Sequence, residues 1–213
     1  MPTPCYISIE GKTQGNITAS AFTSDSVGNI FVQGHEDEML VQEFQHVVTV
    51  PTDPQSGQPA GQRVHKPFKF TVALNKAVPL MYNSLASGEM LPKVTLKWYR
   101  TSVEGKQEHF FSTVLTDATI VDIDCQMPHC QDPAKSDFTQ LIQVSLAYRK
   151  IDWEHTVAGT SGADDWRAPI EAVQTHILAH HPGVAVRCAY LELSTPDLPQ
   201  AVQELVIEGA STV

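Results

Sequence analysis

The chain has 213 residues, of which 42% are hydrophobic and 18% charged, the make-up of a folded protein rather than a charge-rich disordered segment. Its formal net charge is −10 and its 14 Lys and Arg form no run longer than two, which excludes the electrostatic footprint of a nucleic-acid binder. No stretch of about 18 consecutive apolar residues occurs, and the first ten residues contain neither a basic nor an apolar leader region, so neither a membrane span nor a cleaved export signal is expected. The four cysteines, Cys5, Cys125, Cys130 and Cys188, are irregularly spaced and point to thiols kept reduced in a cytosol, with no disulfide framework.

Taken in chain order, a period of two predicts strand after strand. The first clear run carries Phe44, His46, Val48 and Val50 on one parity. Residues 51–63 follow, rich in Pro, Gly and Gln, and are read as a long loop. Phe68, Phe70, Val72 and Leu74 mark a second run. Residues 78–88 predict a short helix, with Pro79 in its first turn, Met81 and Leu85 on a shared face, and Gly88 just past its end. Val94, Leu96 and Trp98 form the next strand pattern. A second long loop, 127–136, precedes Phe138, Ile142, Val144, Leu146 and Tyr148 on one parity. Residues 159–167 read as a loop whose Trp166 tucks back onto the domain.

One-face-apolar strands without intervening helices argue for an antiparallel architecture. The fold class is therefore mainly β: a two-sheet antiparallel β-barrel or sandwich with one short flanking α-helix. The β-domain is expected to end near Ala172. Residues 173–213 then read as a small strand–helix appendage: strand-like at 184–193, and helical from Pro196 with Leu198, Ala201, Val202, Leu205 and Val206 on one face.

Three clusters carry chemistry-bearing side chains. Cys125, His129 and Cys130, with Asp124 and Asp132 nearby, are zinc-type ligands, but no second ligand pair accompanies them, so they are read as ordinary thiols at a strand end. His35, Glu36, Asp37 and Glu38 place an imidazole among carboxylates with no nucleophile to converge on them, and read as a solvated acidic turn. His176, His180 and His181 lack any metalloprotease pattern. No GxGxxG, phosphate-binding loop or GxSxG motif occurs, so neither a cofactor nor an enzymatic activity is indicated.

Long uninterrupted stretches carry a resemblance: residues 4–11 (PCYISIEG), 34–39 (GHEDEM), 50–59 (VPTDPQSGQP), 63–71 (RVHKPFKFT), 97–100 (KWYR), 127–133 (MPHCQDP) and 159–167 (GTSGADDWR). Over residues 1–172 the chain resembles the haemolysin-coregulated protein (Hcp) family, the tube subunits of bacterial type VI secretion. The resemblance implies a β-barrel with a flanking helix and a ring-forming structural subunit that assembles as a homo-hexamer with stacked rings. It also implies the spike protein, the sheath and effector proteins in the lumen as partners, and cytoplasmic assembly followed by export without a cleaved signal peptide.

On that reading the subunit interface takes Thr52, Asp53, Gln55, Gln58, Arg63, His65 and Lys66. Ring stacking takes His35, Glu36, Asp37, Glu38, His129, Gln131 and Asp132, on loops expected at opposite ends of the barrel. The alternative is a fusion whose residues 173–213 are a toxin remnant or a cargo-docking segment, because typical tube subunits end close to Ala172.

Overall fold

The computed structural model describes residues 3–127, 129, 131 and 139–166. In chain order the elements are β1 (Cys5–Gly11), β2 (Gly15–Asn16), α1 (Ser24–Val27), a 3-10 turn (Gly28–Ile30), β3 (Met39–Gln45), β4 (Val48–Thr49), β5 (Val64–His65), β6 (Phe68–Ala73), α2 (Val78–Ser87), β7 (Met90–Thr101), β8 (Gln107–Gln126), β9 (Leu141–His155) and β10 (Thr160–Asp165).

Six of these strands pair in the order β9-β6-β3-β1-β7-β8, and β8 pairs with β9 again, which closes the sheet on itself. Every one of these pairings is antiparallel. Of barrel and sandwich, closure selects the barrel, which leaves no open edge among the six. β9 makes closure possible because its residue Leu146 lies opposite Phe68 of β6 on one side and Ile120 of β8 on the other.

The alternation seen in the sequence becomes the inner wall. Ile7 of β1 lies opposite Met39 and Leu96, and Cys5 opposite Val41, itself opposite Val72, which faces Ile142. Phe68, Phe70, Leu96, Leu115, Val144, Leu146 and Ile151 are buried with them, each contributing about 1.5–3 kcal/mol by leaving water. Burial, with the charge of Glu38 added, pushes the Cys5 thiol up to about 12, so it stays protonated and chemically inert.

Helix α2 packs on this wall through Val78, Met81 and Ser84, with Pro79 in its first turn as the sequence predicts. Gly88 ends it in the left-handed region at φ 63, donating its N–H to Leu85 and Ser84 carbonyls. Gly88→Ala is expected to cost about 1 kcal/mol, read as a lowered denaturation midpoint with unchanged slope.

The run through Phe44, His46, Val48 and Val50 is not one strand. β3 stops at Gln45 after a bulge between Val41 and Glu43. The chain then leaves the barrel, and among the described residues β4 pairs only with β5. A two-stranded ribbon has no facing sheet to cover it, so Val48, Val50 and Val64 remain 44%, 45% and 44% exposed. Leu74 likewise lies beyond the end of β6 and is exposed. Residues 159–167 differ too: Thr160–Asp165 is a strand, and Trp166 stays 44% exposed.

Register fixes which loops share an end of the barrel. Ala73 at the close of β6 lies opposite Leu141 at the opening of β9, and Leu141 opposite Gln126 at the close of β8. β3 opens at this same end, one pairing step from Val72. The loop carrying His35–Glu38 and the connection from Gln126 to Leu141 therefore leave from one end, not from opposite ends as expected, because β3 and β9 both run antiparallel to β6 and open where β6 closes, while residues 46–67 leave from the other.

The compact unit holding the barrel runs Met1–Asp164. The boundary expected near Ala172, Phe138, the 173–213 appendage, Cys130, Cys188 and Asp132 all lie outside the described residues.

Candidate subunit-contact site

Residues 46–67 form an ordered arm rather than an open loop. The β4–β5 pairing, with Val48 opposite His65 and Thr49 opposite Val64, makes its base, and a bridge between Thr52 and Pro59 carries the pairing outward. Asp53 organises the tip. Its carboxylate accepts the Gln55 N–H at 3.0 Å and the Ser56 hydroxyl at 2.7 Å, and its carbonyl accepts the Gly57 N–H at 2.8 Å. This is the local turn chemistry that Asp supplies, and Gly57 tolerates the φ of 69 that the reversal demands. The Ser56 hydroxyl, then the Gln55 N–H, hold the Asp53 carboxyl below the usual range. Thr52, Gln55, Gln58 and Lys66 are exposed along this arm and Asp53 half-exposed.

The base of the arm is tied to the barrel by polar side chains. Arg63 grips Asp164 of β10 through two guanidinium nitrogens. His65 is buried, with Nε2 at 2.7 Å from the same carboxylate and Nδ1 at 2.7 Å from the Tyr148 hydroxyl. His46 Nε2 lies 2.7 Å from that hydroxyl on its other side. Arg63 first, with His65 adding to it, holds the Asp164 carboxyl below its ordinary value, and burial raises the Tyr148 phenol, which therefore stays protonated. Arg63 and His65, expected to reach outward, thus turn inward because Asp164 and Tyr148 stand beneath them. The sequence does signal this cluster faintly: His46 and Tyr148 are polar residues on apolar parity.

At the opposite end, the residues 35–38 are not a solvated turn. Glu38 is buried and takes both the His35 Nδ1 and the Lys97 ammonium at 2.7 Å. The His35 ring stacks on Tyr6 with centroids 3.6 Å apart and meets Tyr99 edge-on at 5.1 Å. Three side chains on two strands therefore hold this loop: Tyr6 on β1, and Lys97 and Tyr99 on β7. Asp37 remains exposed and Glu36 half-exposed. His129 and Gln131 are exposed. A groove of about 410 Å³ beside this loop is lined by Glu10, Asp37, Glu38 and Lys97. It is polar and open, with Ser8 also on its wall.

The closed barrel thus carries an ordered arm and a held loop, and similarity to known proteins places the chain in type VI secretion. The model of a family described as "Type VI secretion system effector, Hcp" matches residues 6–155. The "Major exported protein" of Pseudomonas aeruginosa is 58% identical over 170 residues, covering 80% of this chain and 99% of that protein. A crystal structure of an Hcp protein shares 57% identity at a TM-score of 0.75, covering 78% of this chain and 98% of its own. The secreted protein Hcp3 from Pseudomonas aeruginosa gives 51% identity and a TM-score of 0.66 over 78% of this chain and 99% of its own. The chain belongs to the Hcp family of type VI secretion proteins.

Proposed function

We propose that the chain is a ring-forming structural subunit of the type VI secretion inner tube and has no enzymatic role. Copies close head to tail into a hexamer, rings stack, and the tube leaves the cell with effectors in its lumen, meeting the spike and sheath on the way. Assembly takes place in the cytoplasm and export needs no cleaved signal peptide.

The observation that carries this reading is the ordered arm on a chain of the Hcp family. Ring closure needs two different faces of one subunit to meet with a rotation that closes. An arm already folded by Asp53 and clamped by Arg63 loses little freedom on docking. Thr52, Asp53, Gln55, Gln58 and Lys66 then meet the neighbouring subunit, with Val48, Val50 and Val64 as the apolar part of the contact. Arg63 and His65 act through the pitch of the arm. For stacking, Glu36, Asp37, His129 and Gln131 present polar surface, and His35 and Glu38 hold their loop in place. Asp132 belongs to the same stacking proposal.

Sedimentation of the intact chain is the test, and a hexamer is the expected result. A monomer at micromolar concentration would overturn the ring. Removal of residues 173–213 is expected to leave ring assembly and secretion intact. Loss of toxicity to target cells with assembly unchanged would instead favour the effector-fusion reading.

A further inference from the structure

The side chains at the base of the arm form one hydrogen-bonded chain whose direction depends on a single phenol proton. Tyr148 has one O–H to give, yet two imidazole nitrogens, His46 Nε2 and His65 Nδ1, lie 2.7 Å from its oxygen. His65 Nε2 faces the Asp164 carboxylate at 2.7 Å, so it carries a proton and donates it there. With both imidazoles neutral, His65 Nδ1 is then a lone pair that accepts the Tyr148 O–H, and the Tyr148 oxygen accepts the His46 Nε2–H. Every bond is satisfied.

One added proton is absorbed in either of two ways. On His46 it goes to Nδ1 and leaves the chain unchanged. On His65 it makes Nδ1 a donor, and the chain reverses, Tyr148 now donating to a bare His46 Nε2. Two added protons aim two N–H groups at the Tyr148 oxygen and leave the phenol proton without an acceptor. They also set two cations on rings whose centroids are 6.0 Å apart. Facing His46 are Tyr148 and Trp153 from β9, Phe68 from β6 and His65 from β5. The charged groups bonded into the chain are Asp164, which also pairs with His65, and Arg63.

We propose that His46, Tyr148, His65 and Asp164 form a proton-operated latch on the arm: it stays closed with no or one added proton on the imidazole pair and opens when a second arrives. The latch joins β5, β9 and β10 to the connection after β3, so opening it frees the base of the arm while the barrel stays paired. Burial, and then the neighbouring His65, hold the His46 imidazole below its ordinary value. The closed form therefore binds fewer protons than the open one, and closure weakens as pH falls below about 6.5, the ordinary imidazole value.

Amide hydrogen exchange of the full chain tests this, corrected for the intrinsic effect of pH and read at residues 47–49 and 64–66. The Lys66 N–H, which donates to the Val47 carbonyl at 2.9 Å, is the closest reporter. Between about pH 7.5 and about pH 5, spanning the imidazole range, protection of these amides is expected to fall at least about tenfold, while residues 142–146 of the barrel keep theirs. His46→Gln retains an N–H donor for Tyr148 but does not titrate, and is expected to keep the arm protected at the acid pH. Tyr148→Phe breaks the chain and is expected to leave the arm poorly protected at both. An unchanged wild-type arm, an equal fall in His46→Gln, or a matching loss across the barrel would each overturn the latch. Sedimentation in parallel bears on the ring alone, so failure of one reading is separable from failure of the other.

Discussion

Deleting residues 55–61 is expected to convert the proposed hexamer to monomers while leaving the barrel folded. The deletion removes the exposed tip, Gln58 and Pro59 included, but keeps the β4–β5 pairing and the Arg63 and His65 anchors. Residues 50–54 and 62–63 remain to close the turn. Loop shortening changes closure entropy by about 0.6 kcal/mol per twofold change in length, so the domain should lose no more than about 1 kcal/mol. An assembly interface is less forgiving, because its energy concentrates in a few well-packed contacts. Sedimentation velocity reads the assembly and thermal unfolding reads the fold. A hexamer that survives the deletion would remove the arm tip from the contact.

The second large effect is expected at Glu89, far from the arm. This carboxylate follows Gly88 and is covered by the turn between β1 and β2. Oε1 accepts the Thr13 and Gln14 N–H groups at 2.6 and 2.8 Å, and Oε2 accepts the Gln14 side-chain amide at 2.7 Å and the Ser84 hydroxyl at 3.1 Å. Glu89→Ala strands these donors beneath the turn and is expected to cost about 2–3 kcal/mol, at the modest end for charge-assisted bonds because the site lies close to the surface. In a chain of this size that corresponds to a fall in Tm of about 5–10 °C. A loss below about 0.5 kcal/mol, the range of an ordinary surface substitution, would mean water replaces the carboxylate without penalty.

The pH dependence at Glu89 has a definite sign. Burial alone would raise this carboxyl. The Gln14 amide, the Gln14 and Thr13 N–H groups and the Ser84 hydroxyl outweigh it and hold the group below its ordinary value. Its stabilisation is therefore complete above the ordinary carboxylate range of about 4.3 and lost as pH falls through the lower folded value. Glu89→Ala should lose that segment of the acid-unfolding curve. Gly11 belongs to the same device, since a Cβ there would sit 2.6 Å from Glu89 Oε1.

Much of the barrel is legible in the chain itself, because a strand with one covered face writes its burial as alternation. Ile142, Val144 and Leu146, or Phe68, Phe70 and Val72, are recognisable without coordinates and are buried as expected. Helix α2 is legible for a similar local reason: Pro79 and Gly88 mark its ends through backbone preferences that need no neighbours. The Hcp resemblance rests on long uninterrupted stretches that are read directly from the chain.

What alternation cannot convey is which apolar face finds a partner. Phe44, Val48 and Val50 continue the pattern of the barrel, yet the bulge in β3 and the departure of the chain at His46 leave them exposed. Only the closed register decides that, among the described residues, β4 pairs with β5 alone. Polar side chains follow the same rule more strongly. Glu38 is an acidic residue in an acidic stretch, and local sequence places it in water. Lys97 and His35 draw it inward because a charge loses less on burial when two partners lie within 2.7 Å. Arg63 and Asp164 lie 101 positions apart and carry no mutual signal in the chain. Long-range pairing through β9 and β10 brings them together, and with them the anchored arm, so the site is a product of tertiary structure while the wall that supports it was already written in the sequence.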